Sequence, residues 1–314
     1  MYPELFEIPF LHISVKTYGT LMVIGFLVAV WLMRRMMRRI NQNPDYISNV
    51  AMYSLLCGVA GARVFYIIHH HVQPAEWLAI WQGGLELLGG VIAGIAFLLF
   101  YLYRQKLPKR VYLDVLAVGL LVGLGFGRIG CLMYGCCYGK CSTVPWAIQF
   151  PYGSPAFYSQ THPDPARDRE KPLLNLPDGY FRDGYLKEFD DLTDEQKQAV
   201  QDGPYQTLPV HPTQIYSSLN AFILAGILYA LWRWTGRKKP GIVMCLMLMF
   251  YGIARFFLET LRDDNPFETA WWAVYKGGTI SQNISIYMFL TGAILLAILA
   301  TRKPADHSKI QTKG

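Results

Sequence analysis

Four ionisable residues stand inside apolar stretches of this sequence. Arg63 follows Gly61-Ala62, Arg128 lies in Gly127-Arg128-Ile129-Gly130, and Arg255 precedes Glu259 by four residues. A charge near mid-bilayer costs about 2.5 to 3.5 kcal/mol on insertion scales, so each residue needs a partner or a purpose. Arg255 and Glu259 fall on one helix face and can pair. Three arginines against one acid leave positive charge over. Guanidiniums donate a planar fork of hydrogen bonds, and glycines such as Gly127 and Gly130 let a ligand approach the backbone. The chemistry this suits is the holding of a phosphate, and at the outer leaflet the natural phosphate is a phospholipid headgroup. An anion-conducting transporter or channel would also line its path with arginines, but no inverted repeat accompanies them here.

Cysteine and histidine are the other reactive types. Cys131, Cys136, Cys137 and Cys141 cluster within one short stretch, whereas Cys57 and Cys245 sit singly in apolar runs. An oxidising outer compartment permits disulfides. The spacing lacks the paired C-x₂-C of zinc sites, and the vicinal pair Cys136-Cys137 is awkward for tetrahedral coordination, so structural thiols or a disulfide are expected ahead of a direct catalytic role, and that ahead of a metal. His69, His70 and His71 read as an exposed interfacial run, because adjacent helical side chains diverge. His211 precedes Pro212 at the start of an apolar segment, where it can orient the helix entry.

The elements that must carry these residues are membrane helices. Of 314 residues, 53% are hydrophobic and 16% charged, well under the roughly 25% charged usual in soluble domains. Mean hydropathy is only +0.22, because the acids are concentrated between Lys140 and Val210. A hydrocarbon core of about 30 Å needs roughly 17 to 25 apolar residues per helix. The apolar stretches predict an all-α polytopic protein with seven spans, at 17–34, 48–68, 87–103, 111–130, 212–232, 241–258 and 280–300. The chain reads as a single membrane domain, 1–314, with a cap insert at 140–210 between the fourth and fifth spans. Basic clusters at Arg34 to Arg39, Arg104 to Arg110, Arg233 to Lys239 and Arg302-Lys303 fall at every second loop. The positive-inside rule then places the N-terminus and the insert outside and the C-terminus in the cytoplasm.

Glu4 and Glu7 ahead of the first apolar run argue against a cleaved signal peptide. The net charge of +7 sits beside apolar runs, which favours lipid headgroups over nucleic acid. Within the insert, Thr193-Asp194-Glu195-Gln196 has the form of a capping box that opens a short helix. Trp77 to Trp81 suit an interfacial segment, and the pairs Gly83-Gly84 and Gly89-Gly90 allow either re-entry into the membrane or close helix packing.

The stretch from Gly127 through Cys131, Cys136-Cys137 and Tyr138 to Gly139 resembles the signature loop of the prolipoprotein diacylglyceryl transferase family, in its cysteine-rich Gly-Cys-Cys-Tyr-Gly form. Further pieces follow in family order: Tyr18-Gly19, Gly61-Ala62-Arg63, the two glycine pairs, His211-Pro212-Thr213-Gln214, and Tyr251-Gly252-Ile253-Ala254-Arg255. The resemblance covers the chain apart from the insert. It implies transfer of the diacylglyceryl group of phosphatidylglycerol to the lipobox cysteine of a prolipoprotein in the bacterial inner membrane, with no metal or organic cofactor.

On that reading Arg128 and Arg255 hold the departing phosphate, Tyr18 and Tyr251 donate hydrogen bonds, and Arg63, Gly127, Gly130, Gly139, Gln214 and Glu259 shape the substrate site. Many members carry a histidine before the second glycine pair, where this chain has Leu88. Common members have Asn and Glu where Cys131 and Cys136 stand. His211 is then the candidate proton acceptor. The departure at Leu88 also admits a divergent relative that binds lipid or lipoprotein without transferring anything.

Overall fold

The computed structural model describes residues 4–8, 13–73, 76–77, 84–235 and 239–301. Seven of its helices are long and apolar enough to cross a membrane: α1 (Thr17–Arg39), α2 (Pro44–His70), α3 (Leu87–Arg104), α4 (Lys109–Tyr134), α7 (Thr213–Thr235), α8 (Ile242–Thr260) and α9 (Ile280–Thr301). Each begins within about one turn of the expected position. Several run past the apolar stretch into its basic flank, as α1 does through Arg38 and Arg39, because long cationic side chains bury their stems and keep their charge in water. Short helices α5 (Pro155–Thr161) and α6 (Asp194–Gln201) lie in the insert. Two small antiparallel ribbons are also present: β1 (Glu4–Ile8) with β2 (Ile13–Lys16), and β3 (Phe181–Arg182) with β4 (Tyr185–Leu186).

Large apolar side chains such as Leu27, Leu56, Phe100 and Phe257 point outward from these helices, as lipid-facing positions require. Gly83, Trp81, part of the Arg233 to Lys239 cluster, and Arg302-Lys303 lie outside the described residues.

Packing divides the described residues into two compact units, one within Met1–Leu27, Leu120–Tyr229 and Cys245–Lys303, the other within Val28–Gly119 and Ala230–Met244. In the second unit α2 and α3 meet through small residues. A Cβ on Gly61 would stand 2.2 Å from that of Ala93, and one on Gly89 would stand 2.6 Å from the Gly61 carbonyl oxygen. Gly89-Gly90 therefore belong to the opening turns of α3 and serve close helix approach.

Arg63 is buried in this unit. Its Nε donates to the carbonyl of Trp77 at 3.0 Å, Nη1 to that of Gly84 at 3.1 Å and Nη2 to that of Glu76 at 2.5 Å. Asp114, an intramembrane acid absent from the four weighed above, accepts from the backbone N–H groups of Gly241 and Met244 at 2.6 and 2.8 Å. It satisfies donors left over at the opening of α8.

In the first unit the insert has its own apolar centre of Phe157, Leu174, Tyr180, Leu192 and Val200. The capping box forms as expected. Thr193 Oγ accepts from the Gln196 N–H at 3.3 Å, and the Gln196 side chain accepts from the Thr193 N–H at 3.1 Å. Also in this unit, α1 approaches α4 where Gly130 leaves room for Tyr18, since a Cβ there would fall 2.9 Å from its ring. Ser218 of α7 donates to the Gly125 carbonyl of α4 at 2.9 Å.

Candidate active site

At the end of α4 the chain leaves the helix through Gly135 (φ 85°) and then Cys137 (φ 59°), which is left-handed although it is not glycine. Such backbone is costly without support, and the opening of α7 supplies it. Thr213 Oγ1 donates to the Cys137 carbonyl and Gln214 Nε2 to the Cys136 carbonyl, both at 2.7 Å. The Gly139 N–H donates to the His211 carbonyl at 3.1 Å, and the Lys140 N–H to the Leu261 carbonyl at 2.8 Å. A Cβ on Gly139 would stand 2.6 Å from the His211 Cβ and 2.9 Å from the Leu261 oxygen, so only glycine fits. The His-Pro-Thr-Gln stretch thus clamps the backbone of the signature loop.

This clamp aims Cys137 back at α4, where Arg128 Nη1 lies 3.2 Å from its Sγ. The Sγ atoms of Cys131, Cys136 and Cys137 all lie within 4.8 Å of one another, and every cysteine is free. Hydrogen bonds from the Cys131 and Cys136 thiols, together with Arg262 and Arg128, hold the Cys137 thiol below its ordinary range against the effect of burial. The left-handed turn overcomes the divergence expected of a vicinal pair. Among the described residues the sequence thus brings together a sulfur cluster beside an arginine.

Around Arg128 stand Arg262, Tyr251 and Cys131 as its electrostatic neighbours, and Arg255 shares Arg262, Arg128 and Tyr251. Tyr18 faces the three thiols and Arg128. Arg255 Nη2 pairs with Glu259 Oε2 at 2.8 Å and donates to Ser281 Oγ at 2.9 Å, so the i, i+4 pairing forms. Glu259 is fully buried and also accepts from Thr279 Oγ1 at 3.0 Å and from Asn265 Nδ2. Arg255 Nη1, however, is buried without a hydrogen-bond partner among the described residues, as is Gln214 Oε1. A buried cationic donor left open asks for an anion or polar ligand atom.

Arg262 was not among the residues singled out from the sequence. It lies just beyond α8, where Arg262-Asp263-Asp264 reads as ordinary outer-face polarity. Its Nε and Nη2 donate to the two Asp264 oxygens at 2.8 and 2.7 Å. Burial opposes its charge, but Asp264 outweighs that and raises its pKa above the ordinary value. The i, i+3 spacing from Glu259, which the structure realises as 3.7 Å between Nη1 and Oε2, was the available signal.

The insert braces this segment. Arg167 Nη2 and Arg169 Nη1 reach Asp263 at 3.3 and 2.9 Å, and Arg167 also donates to the carbonyls of Asn265 and Arg262. Tyr138, beside it, has its hydroxyl pushed up to about 12 by burial. A cleft of about 660 Å³ opens between the end of α4 and the insert, lined by Tyr134, Gly135, Tyr138, Tyr158 and Arg169 among others.

Arg63 is engaged by loop carbonyls within its own unit. The ring Nδ1 of His211 lies 3.4 Å from Tyr216 Oη, which also accepts from Trp146 Nε1 at 2.5 Å. Leu88 lies on the first turn of α3, exposed. The neighbouring acid, Glu86, is taken by His69 Nδ1 at 2.7 Å and His70 Nε2 at 3.1 Å. The two rings converge on one oxygen because one uses its near nitrogen and the other its far one. Gly127 borders Met22, whose sulfur would lie 3.2 Å from a Cβ there.

Fold and site together define a multi-pass membrane protein with an arginine cluster beside a hydrogen-bonded signature loop. The family model for prolipoprotein diacylglyceryl transferase matches residues 3–298. Relatives named phosphatidylglycerol–prolipoprotein diacylglyceryl transferase include one from Clostridium tetani, 27% identical over 96% of this chain and 100% of its own length. Another, from Desulfotalea psychrophila, is 28% identical over 90% of this chain and 86% of its own length, and one from Shewanella oneidensis is 26% identical over 90% and 87%. The chain belongs to the prolipoprotein diacylglyceryl transferase family.

Proposed function

We propose that the arginine cluster of this transferase holds the phosphate of phosphatidylglycerol while its diacylglyceryl group passes to a lipobox cysteine. The chain is an enzyme of the first step of lipoprotein maturation. The observation that carries the assignment of the site is Arg255 Nη1, a buried guanidinium nitrogen with no hydrogen-bond partner among the described residues, in a cluster it shares with Arg128 and Tyr251.

In the reaction the substrate thiolate attacks the glyceryl carbon that bears the phosphate ester. The C–O bond breaks, and the electron pair leaves on the phosphate oxygen of glycerol 1-phosphate. Charge developing on that oxygen is stabilised by donors already in place, which is where Arg128 and Arg255 act. Tyr251 and Tyr18 supply neutral donors, Gln214 and Gly139 fix the signature loop, Gly127 and Gly130 allow close packing of α1 on α4, and Glu259 orients Arg255. His211 serves through its carbonyl and its contact with Tyr216. Arg63 holds the loop ahead of α3. The aromatic cleft by the insert suits the extended segment of the prolipoprotein.

The protein sits in the bacterial inner membrane with its N-terminus and insert outside and its C-terminus in the cytoplasm. The alternation of basic clusters supports this orientation. Purified protein in detergent, given phosphatidylglycerol and a lipobox peptide, is expected to yield peptide carrying a diacylglyceryl thioether, read by mass. Lipid binding with no thioether would overturn transfer and leave a binding protein.

A further inference from the structure

The reaction needs a thiolate, and Leu88, where many members of the family carry a histidine, has no proton acceptor in its own side chain. What the structure offers in the arginine cluster instead is sulfur. We propose that Cys131, Cys136 and Cys137 form a three-thiolate zinc site whose fourth position takes the lipobox cysteine and delivers it as a metal-bound thiolate. The inference rests on the transferase reading above.

Three features carry it. The first is proximity: the three Sγ atoms lie within 4.8 Å of one another, and a tetrahedral site with Zn–S of about 2.3 Å needs sulfurs about 3.8 Å apart, a contraction that side-chain rotation supplies. The second is a preformed backbone. The left-handed turn at Cys137 and the clamps from Thr213 and Gln214 on the Cys137 and Cys136 carbonyls hold the vicinal pair on one side. The third is charge. Zinc with three thiolates carries one net negative charge, and Arg128 donates directly to Cys137 Sγ at 3.2 Å while Arg262 stands nearby. Guanidinium donors of this kind orient and stabilise metal-bound thiolates.

The donor set fits the chemistry. Catalytic zinc sites keep three protein ligands and an open position, and a thiol that coordinates such a metal is deprotonated outright. The substrate thiol would lose its proton to water on binding. Its sulfur then forms the bond to the glyceryl carbon as the C–O bond breaks, and the phosphate leaves with the electron pair. Zinc changes no oxidation state. The neutral thioether is a far weaker ligand than the thiolate, so product leaves and the position reopens. Arg128 can touch a zinc-bound sulfur with one nitrogen and the phosphate with others, aligning nucleophile and leaving group.

The test uses the full chain in detergent, loaded with Zn²⁺ or Co²⁺. Expected are one metal per chain, sulfur-to-cobalt charge-transfer absorption that strengthens when lipobox peptide is added, and no strengthening with the peptide whose cysteine is replaced by serine. Cys131→Ser, Cys136→Ser and Cys137→Ser should each lose the metal, and Cys141→Ser should retain both metal and transfer. Chelation of the unaltered protein should stop transfer and Zn²⁺ should restore it, which separates metal loss from misfolding of a variant. Transfer at the full rate by metal-stripped protein, or absence of the cobalt absorption, overturns the zinc site and leaves the transferase reading standing. Metal-loaded protein that binds the peptide thiol yet transfers nothing from phosphatidylglycerol overturns the transferase reading instead.

Discussion

Arg255 Nη2 lies 2.8 Å from Glu259 Oε2, one turn on along α8, and the carboxylate beneath it is fully buried. The pair fixes one side of the guanidinium and leaves the other, Nη1, open. Removing one partner of a buried pair strands the other charge, at a cost of about 3–5 kcal/mol. Glu259→Gln is therefore expected to lower the thermal unfolding midpoint in detergent and to abolish transfer. An unchanged midpoint with normal turnover would contradict the orienting role.

Gly139→Ala tests the clamp on the signature loop. Its Cβ would fall 2.6 Å from the His211 Cβ and 2.9 Å from the Leu261 oxygen, and backbone cannot give as a flexible side chain can. Overpacking of this kind costs about 1–3 kcal/mol, and the displaced loop should also carry Cys137 away from Arg128. Both the midpoint and the transfer rate should drop. A variant matching the unaltered protein in both would show that the loop tolerates the shift.

His211→Gln keeps a side chain of similar length and leaves the backbone carbonyl that binds Gly139. If His211 acts by position, its pH–rate profile at saturating phosphatidylglycerol should run parallel to that of the unaltered protein, with a reduction of a few fold. A deep loss at neutral pH that is recovered as the pH rises would make His211 the proton acceptor for the substrate thiol.

Orientation is read by reporters. A fusion after Gly179, in the insert, should be active only when exported, and one after Lys239 only in the cytoplasm. The reverse pattern would overturn the orientation drawn from the basic clusters.

The seven spans were legible because length and hydropathy alone decide which segments can satisfy their backbone in lipid. The pairing of Arg255 with Glu259 was legible for a similarly local reason, the i, i+4 spacing. Arg262 was not, because its burial and the brace from Arg167 and Arg169 through Asp263 depend on how the insert returns to the end of α8. Convergence of the three sulfurs was hidden too. It depends on a left-handed cysteine, a conformation that sequence gives no reason to expect outside glycine. The role of Asp114 appears only once Gly241 and Met244 are brought to it.

Arg128 and Arg255 are the proposed phosphate holders, and single-turnover transfer from phosphatidylglycerol tests them most directly. Arg128→Ala and Arg255→Ala should each slow the step by about 10²–10³-fold, the usual cost of one preorganised donor at a developing anion. Lysine at either position should recover only part of the rate, since the planar fork is lost. Each variant must first elute from size exclusion as the unaltered protein does. A folded Arg128→Ala or Arg255→Ala variant that transfers at a near-normal rate would contradict the assignment of the site.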